Sequence, residues 1–345
     1  MNSIFLALEQ LHTQLSQALP ATPGLCHFDV SFPLNDAFDP LAWLGEQQCY
    51  PQFYWQQRNG DEELAALGAV TQFSSLALAS QFLRAEHAPK ETRICGLNAF
   101  SPEQGSLFLP RLLWRRTAGN ATLRLQLWSD SSLQDDARTA LELLQQLRPA
   151  RAIRPLSVQV ERETHLPQKP EWLTLIGKAT ETIARGDFEK VVLARATDLQ
   201  CKQRVNPVAL MAASRALNLN CYHFCMVFDA RNAFLGSTPE RLWRRRGKLL
   251  RTEALAGTVA SHTDDKQAQR LGEWLLNDDK NQRENMLVVE DICQRLQHHT
   301  QTLEVLPAQV VRLRKVQHLR RCIWTELKQA DDELCLHVLQ PNAAG

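Results

Sequence analysis

The sequence contains no long hydrophobic run and no excess of charge of either sign. None of its apolar runs approaches the ~20 residues that a membrane-spanning helix needs. Its 39 lysines and arginines nearly balance its 38 aspartates and glutamates, which gives a net charge of +1. Nucleic acids and anionic membrane surfaces attract strongly basic proteins. We therefore expect neither of them as a partner.

Metal-binding cysteine motifs are also missing. The chain has 9 cysteines, an odd number, and no two of them form a Cys-x-x-Cys pair. Cys221 and Cys225 fall on one face of a predicted strand, but no histidine or second cysteine pair completes a ligand set. Buried, reduced thiols of a cytosolic protein explain this pattern. The first residues lack the basic and apolar regions of a signal peptide and are spaced as a helix, so we expect a cytoplasmic location.

The first half of the chain is rich in short strands. Its 345 residues, of which 44% are hydrophobic, are enough for one large or two ordinary domains. Apolar periodicity predicts helices over residues 1–19, 76–84 and 133–147, and strands over 25–32, 52–56, 64–73, 92–99, 107–116 and 121–128. Many strands with few helices indicate an antiparallel sheet rather than βαβ units. We find no catalytic pattern in residues 1–150.

The second half contains longer helices. They are predicted over residues 170–185, 207–217, 266–276, 281–298 and 333–341, with strands over 188–197, 220–228, 310–319 and 322–327. The strand over 188–197 has a buried pattern, with Lys190 near its start. A lysine that extends to solvent at a sheet edge explains this position without a function. If the ammonium group is buried instead, its pKa falls and the neutral amine can act as a base near pH 7.

The most informative run extends from Phe234 to Thr258 and reads as strands joined by tight turns. Pro239 restricts its own backbone and that of the residue before it, so Glu240 follows a constrained bend. Arg-Gly-Lys at 246–248 predicts a hairpin turn, and the last strand reaches Ala-Gly-Thr at 256–258. A glycine beside a hydroxyl group lets a ligand approach the backbone. On spacing alone, an ordinary meander with a surface glutamate also explains this run.

The same run resembles the signature of the chorismate-utilising enzymes, Gly-Ser-x-Pro-Glu-x-Leu followed by Ala-Gly-Thr. The similarity is closest to the menaquinone-specific isochorismate synthases. It implies an α+β fold of two large, mainly antiparallel sheets packed face to face with helices outside. Residues 1–150 would form an N-terminal scaffold part and residues 151–345 the chorismate-binding catalytic part, the two forming one intertwined unit. The implied function is Mg²⁺-dependent isomerisation of chorismate to isochorismate, without an amidotransferase subunit.

The resemblance also implies a role for two residues in the reaction. Residues 189–195 match the family run Glu-Lys-Val-Val-Leu-Ala-Arg, in which the lysine, here Lys190, activates the water that attacks the ring. Glu240 matches the general acid that protonates the departing ring hydroxyl. Such an acid needs a raised pKa and hence partial burial. We therefore expect Lys190 and Glu240 to face one cavity from different strands.

Further positions match binding residues of the family. Glu284 falls on the first carboxylate of its metal-binding helix, which implies a Mg²⁺ ligand. Gly257, Thr258 and His318 match substrate-binding positions, and Ala344 falls on another. On sequence alone, a solvated helix face explains Glu284, and a structural role explains His318.

The chain departs from the family at its end. The first six residues of the motif Leu-His-Pro-Thr-Pro-Ala-Val-Gly-Gly appear as residues 339–344, with Gln340, Asn342 and Ala343 in place of the His, the Thr and the second Pro. The family segment beyond it, with a substrate-binding arginine and a second metal carboxylate, is absent from the sequence. We therefore expect the chain as given to be poorly active and marginally stable. Salicylate synthase activity and an inactive chorismate-binding remnant are the alternatives.

Overall fold

A computed structural model describes residues 3–34 and 38–340. Ala344 and the first two positions of the predicted N-terminal helix lie outside these ranges. The chain divides into two compact units, one formed by Met1–Ile153 with Pro207–Gly345 and the other by Arg154–Asn206. No helix within the described ranges is long and apolar enough to cross a membrane.

Fifteen strands and nine helices are found in the described residues. The strands are β1 Gly24–Pro33, β2 Gln52–Gln56, β3 Glu62–Phe73, β4 Cys95–Asn98, β5 Gly105–Thr117, β6 Asn120–Ser129, β7 Val160–Leu166, β8 Ala196–Cys201, β9 Tyr222–Val227, β10 Ala233–Thr238, β11 Arg244–Arg246, β12 Leu249–Ala260, β13 Thr300–Val305, β14 Gln309–Arg312 and β15 Val316–Leu327. The helices are α1 Ser3–Leu15, α2 Pro40–Glu46, α3 Leu76–Ala85, α4 Leu133–Gln146, α5 Lys169–Arg185, α6 Pro207–Leu217, α7 Asp265–Asn277, α8 Asp279–Leu296 and α9 Asp332–Leu339.

The larger unit contains two antiparallel sheets, which confirms the predicted α+β class. The first sheet has eight strands in the order β1-β6-β5-β3-β2-β9-β10, with β4 paired to β5. Strands β9 and β10 come from the second half of the chain, and β9 pairs directly with β2 from the first half. The second sheet has five strands in the order β11-β12-β15-β13, with β14 paired to β15.

The first sheet is apolar on both faces. Successive side chains of a strand point to opposite faces, and in β2 the neighbours Phe53 and Tyr54 enter different buried clusters. Tyr54 joins Trp114 and Leu11 of α1 in the larger cluster. Phe53 joins Phe108 in the smaller one. Two covered faces explain why these strands read as nearly continuous hydrophobic runs.

Helix α8 packs along the second sheet. Asp278 caps it, because its side chain accepts a hydrogen bond from the backbone N–H of Asn281. Val289 of α8 packs with Ala254 of β12 and Ile323 of β15 in one buried cluster. This contact sets the middle of α8 against the middle of β12.

The smaller unit corrects the predicted strand over 188–197. Residues 190–195 have no regular secondary structure, and Val192 is 80% exposed. Strand β8 begins only at Ala196, where it pairs with Leu166, the last residue of β7. Because Pro167 follows and α5 begins two residues later, β7 offers no further backbone to pair with residues before Ala196.

A second correction concerns the strands predicted over 310–319 and 322–327. The chain instead turns between Arg312 and Val316, where the N–H of Leu313 donates to the Val316 carbonyl oxygen. Strand β15 then continues unbroken to Leu327. Because β14 and β15 pair across this turn, the hairpin lies earlier than the hydrophobic pattern predicts.

Candidate active site

Glu240 lies at the bend that the sequence predicts after β10. Its backbone N–H donates to Thr238 Oγ1 at 3.2 Å. The side chain lines a cavity of about 500 Å³ whose other walls include six aromatic side chains, among them Trp55, Tyr222 and Phe234. The side chain is exposed, so the predicted partial burial of this carboxyl group is not found. The cause is its position, since it follows the last residue of β10 rather than lying within the sheet.

A buried carboxylate fixes the bend that carries Glu240. The Glu253 side chain is fully buried and accepts two hydrogen bonds from Arg58, at 2.6 and 2.9 Å. It also accepts the backbone N–H of Arg241 at 3.2 Å. Arg58 in turn donates to the carbonyl oxygen of Pro239 at 2.8 Å. The residues on both sides of Glu240 are therefore tied to one side chain of the second sheet.

A β-bulge presents Gly257 and Thr258. The register between β12 and β15 shifts between Leu255 and Thr258. Gly257 has a φ of +87°, and a Cβ atom there would lie 3.1 Å from the carbonyl oxygen of Asn281. Only glycine combines this backbone angle with such a close approach of a helix. The bulge therefore lets the start of α8 contact the backbone of β12.

Thr258 and His318 face each other across the two central strands of the second sheet. Thr258 Oγ1 lies 2.9 Å from His318 Nδ1. The backbone N–H of Thr258 donates to Asn281 Oδ1 at 3.0 Å. Burial lowers the pKa of His318, and a hydrogen bond with the Gly257 backbone opposes this shift in part. The imidazole is therefore neutral near pH 7.

Glu284 lies one turn after Asn281 on α8 and is half-buried. Residues three apart are neighbours on a helix surface, so Glu284 projects beside the residue that holds the Thr258 backbone. The structure thus brings Gly257, Thr258 and His318 together, with the first turns of α8 against them. No group of three or more histidines, cysteines, aspartates or glutamates that could hold a metal ion is found within residues 3–34 and 38–340.

Asn285 is a site residue that sequence reasoning missed. It is fully buried, and its Nδ2 lies 3.0–3.2 Å from the carbonyl oxygens of Ala254, Ala256 and Leu319. Its Oδ1 accepts a hydrogen bond from Arg321 at 2.7 Å. The available signal was a pair of asparagines, at 281 and 285, on one face of a predicted helix. Two carboxamides on a buried face require partners in the sheet below.

Lys190 lies in the smaller unit, between α5 and β8, and its side chain is half-buried. That Lys190 and Glu240 face one cavity stays a prediction. The roles implied for the other matched residues also stay predictions.

Comparison with known proteins identifies the family. The pattern described as "Chorismate binding enzyme" matches residues 96–341 of this chain. This protein is therefore a chorismate-binding enzyme. Isochorismate synthase MenF of Escherichia coli strain K12 is 65% identical to it over 344 residues, which are 100% of this chain and 80% of that protein.

One further relative and one solved structure agree with this assignment of the chorismate-binding enzyme. Isochorismate synthase MenF of Pasteurella multocida is 36% identical, covering 92% of this chain and 72% of the relative. The solved structure of the menaquinone-specific isochorismate synthase of Escherichia coli superposes with a TM-score of 0.96. That alignment has 65% identity and covers 99% of this chain and 80% of the other. The α+β fold expected from the sequence is thus the fold of that enzyme.

Proposed function

We propose that this chorismate-binding enzyme is an isochorismate synthase, which isomerises chorismate to isochorismate for menaquinone biosynthesis. The observation that carries this proposal is the 65% identity, along the whole chain, with the isochorismate synthase of Escherichia coli. The bulge at Gly257 with its Thr258–His318 contact supports it, because it leaves polar groups at the position expected to bind substrate.

The reaction needs a base for water and an acid for the leaving group. Lys190 is the proposed base: it takes a proton from water, and the oxygen forms a bond to the ring. The ring double bonds shift, the bond to the original hydroxyl breaks, and Glu240 protonates the departing oxygen, which leaves as water. A base and an acid in these positions each contribute roughly 10²–10⁴-fold. One proton enters Lys190 and one leaves Glu240, so the net charge is unchanged.

The other residues bind and orient the substrate. Gly257, Thr258 and His318 are proposed to contact chorismate, with Ala344 as a further contact. Glu284 offers the carboxylate oxygen that Mg²⁺ prefers, and Mg²⁺ is commonly held by one or two carboxylates with water and substrate. Bound there, the ion would orient and neutralise a substrate carboxylate.

A cytoplasmic location is also proposed. All nine cysteines are free thiols. Burial raises the pKa of seven of them, among them Cys95, whose pKa rises to about 12. Free thiols persist in a reducing compartment.

Incubation of the purified protein with chorismate and Mg²⁺ tests the function. We expect isochorismate, detected by chromatography, and no release of pyruvate. Pyruvate release without an added lyase would favour salicylate synthase activity, and no turnover would contradict the proposal.

Variants of two lysines test the assigned base. Lys190→Ala is expected to abolish turnover and to keep the same unfolding midpoint, because this lysine is assigned a chemical role. Lys178→Ala, a change of an exposed lysine on α5, is the matched control and should keep full activity. Activity in the Lys190 variant would refute the assignment.

A further inference from the structure

A second, polar cavity lies in the larger unit and has no role in the proposed reaction. Its volume is about 430 Å³, and four arginines line it: Arg58, Arg241, Arg312 and Arg320. Asn220 and Tyr222 complete its polar wall. We call it the arginine pocket.

Its arginines come from separate parts of the fold. Arg58 belongs to the turn between β2 and β3, Arg241 follows β10, and Arg312 and Arg320 lie on β14 and β15. Arg320 is two residues from His318 on β15 and pairs with Gln309 of β14, whereas His318 pairs with Thr258 and Val311. The pocket shares Gln57, Tyr222 and Arg241 with the cavity that Glu240 lines. Gly257, Thr258 and His318 are not among its lining residues.

Positive charge exceeds negative charge in this pocket. Glu253 makes ion pairs with Arg58 and Arg241, and Asp265, which is 89% exposed, pairs with Arg312. Glu240 adjoins Arg241 in sequence and adds a third carboxylate. Four arginines line the pocket, no carboxylate is among its described lining residues, and the charge of the exposed Asp265 is screened by solvent.

Two of the arginines are poorly satisfied. Arg241 reaches Glu253 through Nη2 at 3.5 Å, and Arg320 reaches Gln309 Oε1 at 3.2 Å. The Nε atoms of both are buried and have no hydrogen-bond partner among the described residues. Burying a donor without a hydrogen-bond partner destabilises the folded protein. An oxyanion bound through the Nε and Nη donors of one guanidinium group would supply the missing hydrogen-bond partner.

We propose that the arginine pocket binds a small molecule with at least two anionic oxygen groups, at a site separate from the one formed by Gly257, Thr258 and His318. The volume exceeds that of a single phosphate, and the four guanidinium groups suit phosphate or carboxylate oxygens. The proposal does not depend on the proposed isochorismate synthase activity, because binding itself is measured.

Titration calorimetry with pyrophosphate and with citrate, at constant ionic strength, tests the proposal. We expect saturable binding of at least one of them by the unaltered protein. Tighter binding of pyrophosphate would identify a phosphate-bearing ligand, and tighter binding of citrate a polycarboxylate; either supports the oxyanion site. No binding of either ligand at 10 mM (on the order of −3 kcal/mol) would overturn it.

Two arginine variants separate the pocket from general charge effects. Arg320→Gln should weaken binding at least tenfold, whereas Arg314→Gln, at an exposed position in the turn before β15, should leave it unchanged. Without ligand, Arg320→Gln should unfold no more easily than the unaltered protein, because it removes one of four crowded cations. Equal weakening by both variants would refute the site. Competitive displacement by chorismate would also refute it, because the pocket would then be part of the substrate site.

Discussion

The buried carboxylate of Glu253 gives the sharpest test of how the bend at Glu240 is held. Glu253→Gln keeps the shape of the side chain but removes its charge and replaces one acceptor oxygen with a donor. One of its two hydrogen bonds from Arg58 is lost, and the new amide group faces a guanidinium group. We expect the variant to fold. Arg58 and Arg241 then keep their positions but lose the carboxylate that pairs with both of them.

The size of the effect follows from burial. Breaking a buried ion pair by changing one partner costs about 3–5 kcal/mol. The side chains of Arg58 and Arg241 are 17% and 13% exposed, so water solvates them in part. We therefore expect a destabilisation at the lower end of this range, about 3 kcal/mol. At about 2 °C per kcal/mol for a chain of this size, the melting temperature should fall by about 6 °C.

Urea unfolding measures this loss directly, from the midpoint at constant slope. Asp29→Asn is the matched control, because Asp29 also accepts two hydrogen bonds from one arginine, both at 2.7 Å, but is 36% exposed. An exposed pair of this kind contributes at most about 1 kcal/mol. If Glu253→Gln costs no more than Asp29→Asn, the reasoning from burial is wrong.

A double-mutant cycle and kinetics extend the test. Arg58→Met with Glu253→Gln should cost at least about 1 kcal/mol less than the two single changes added together. In turnover assays Glu253→Gln should lower kcat by about 10–100-fold with a smaller change in KM, because a small displacement of a catalytic group is costly. Additive stability losses, or an unchanged kcat, would show that Glu253 does not position the bend.

Three further predictions concern the second sheet and α8. Gly257→Ala should destabilise the protein by about 2 kcal/mol in urea unfolding and abolish turnover. The reason is that its φ of +87° and the close carbonyl oxygen of Asn281 in α8 disfavour a side chain. Unchanged stability and turnover would mean that the bulge is not needed. Asn285→Leu should cost about 2 kcal/mol through lost hydrogen bonds, whereas Gln294→Leu on the exposed side of α8 should change the free energy of unfolding by under ~0.5 kcal/mol. The lowered pKa of His318 means that the unfolded chain takes up a proton first as the pH falls through about 6.5. Stability should therefore decrease below that pH, by at most about 1.4 kcal/mol per pH unit from this residue. His318→Gln should reduce the slope, and an unchanged slope would contradict the assigned burial of His318.

Local patterns in the sequence were sufficient for most of the elements. The sequence predicts the bend at Pro239 because proline restricts its own backbone angles and those of the residue before it. It predicts the hairpin at Gly247 because glycine permits backbone angles that other residues rarely adopt. The helix from 281 was predicted for a similar reason, since its apolar positions recur at helical spacing. The motif that contains Glu240, together with Ala-Gly-Thr at 256–258, also predicted the family of chorismate-utilising enzymes. The comparisons confirm that family.

Only the tertiary structure decided which side chains meet and which strands form. The run 188–197 is apolar, yet β7 ends at Leu166 and leaves its first residues without a partner, because a strand exists only with a backbone to pair with. Glu253 looked like an ordinary residue of an alternating strand, and its bond to Arg58 joins positions 195 residues apart. A sequence states the order of such groups but not the distances between them, since those are set when the sheets and helices pack.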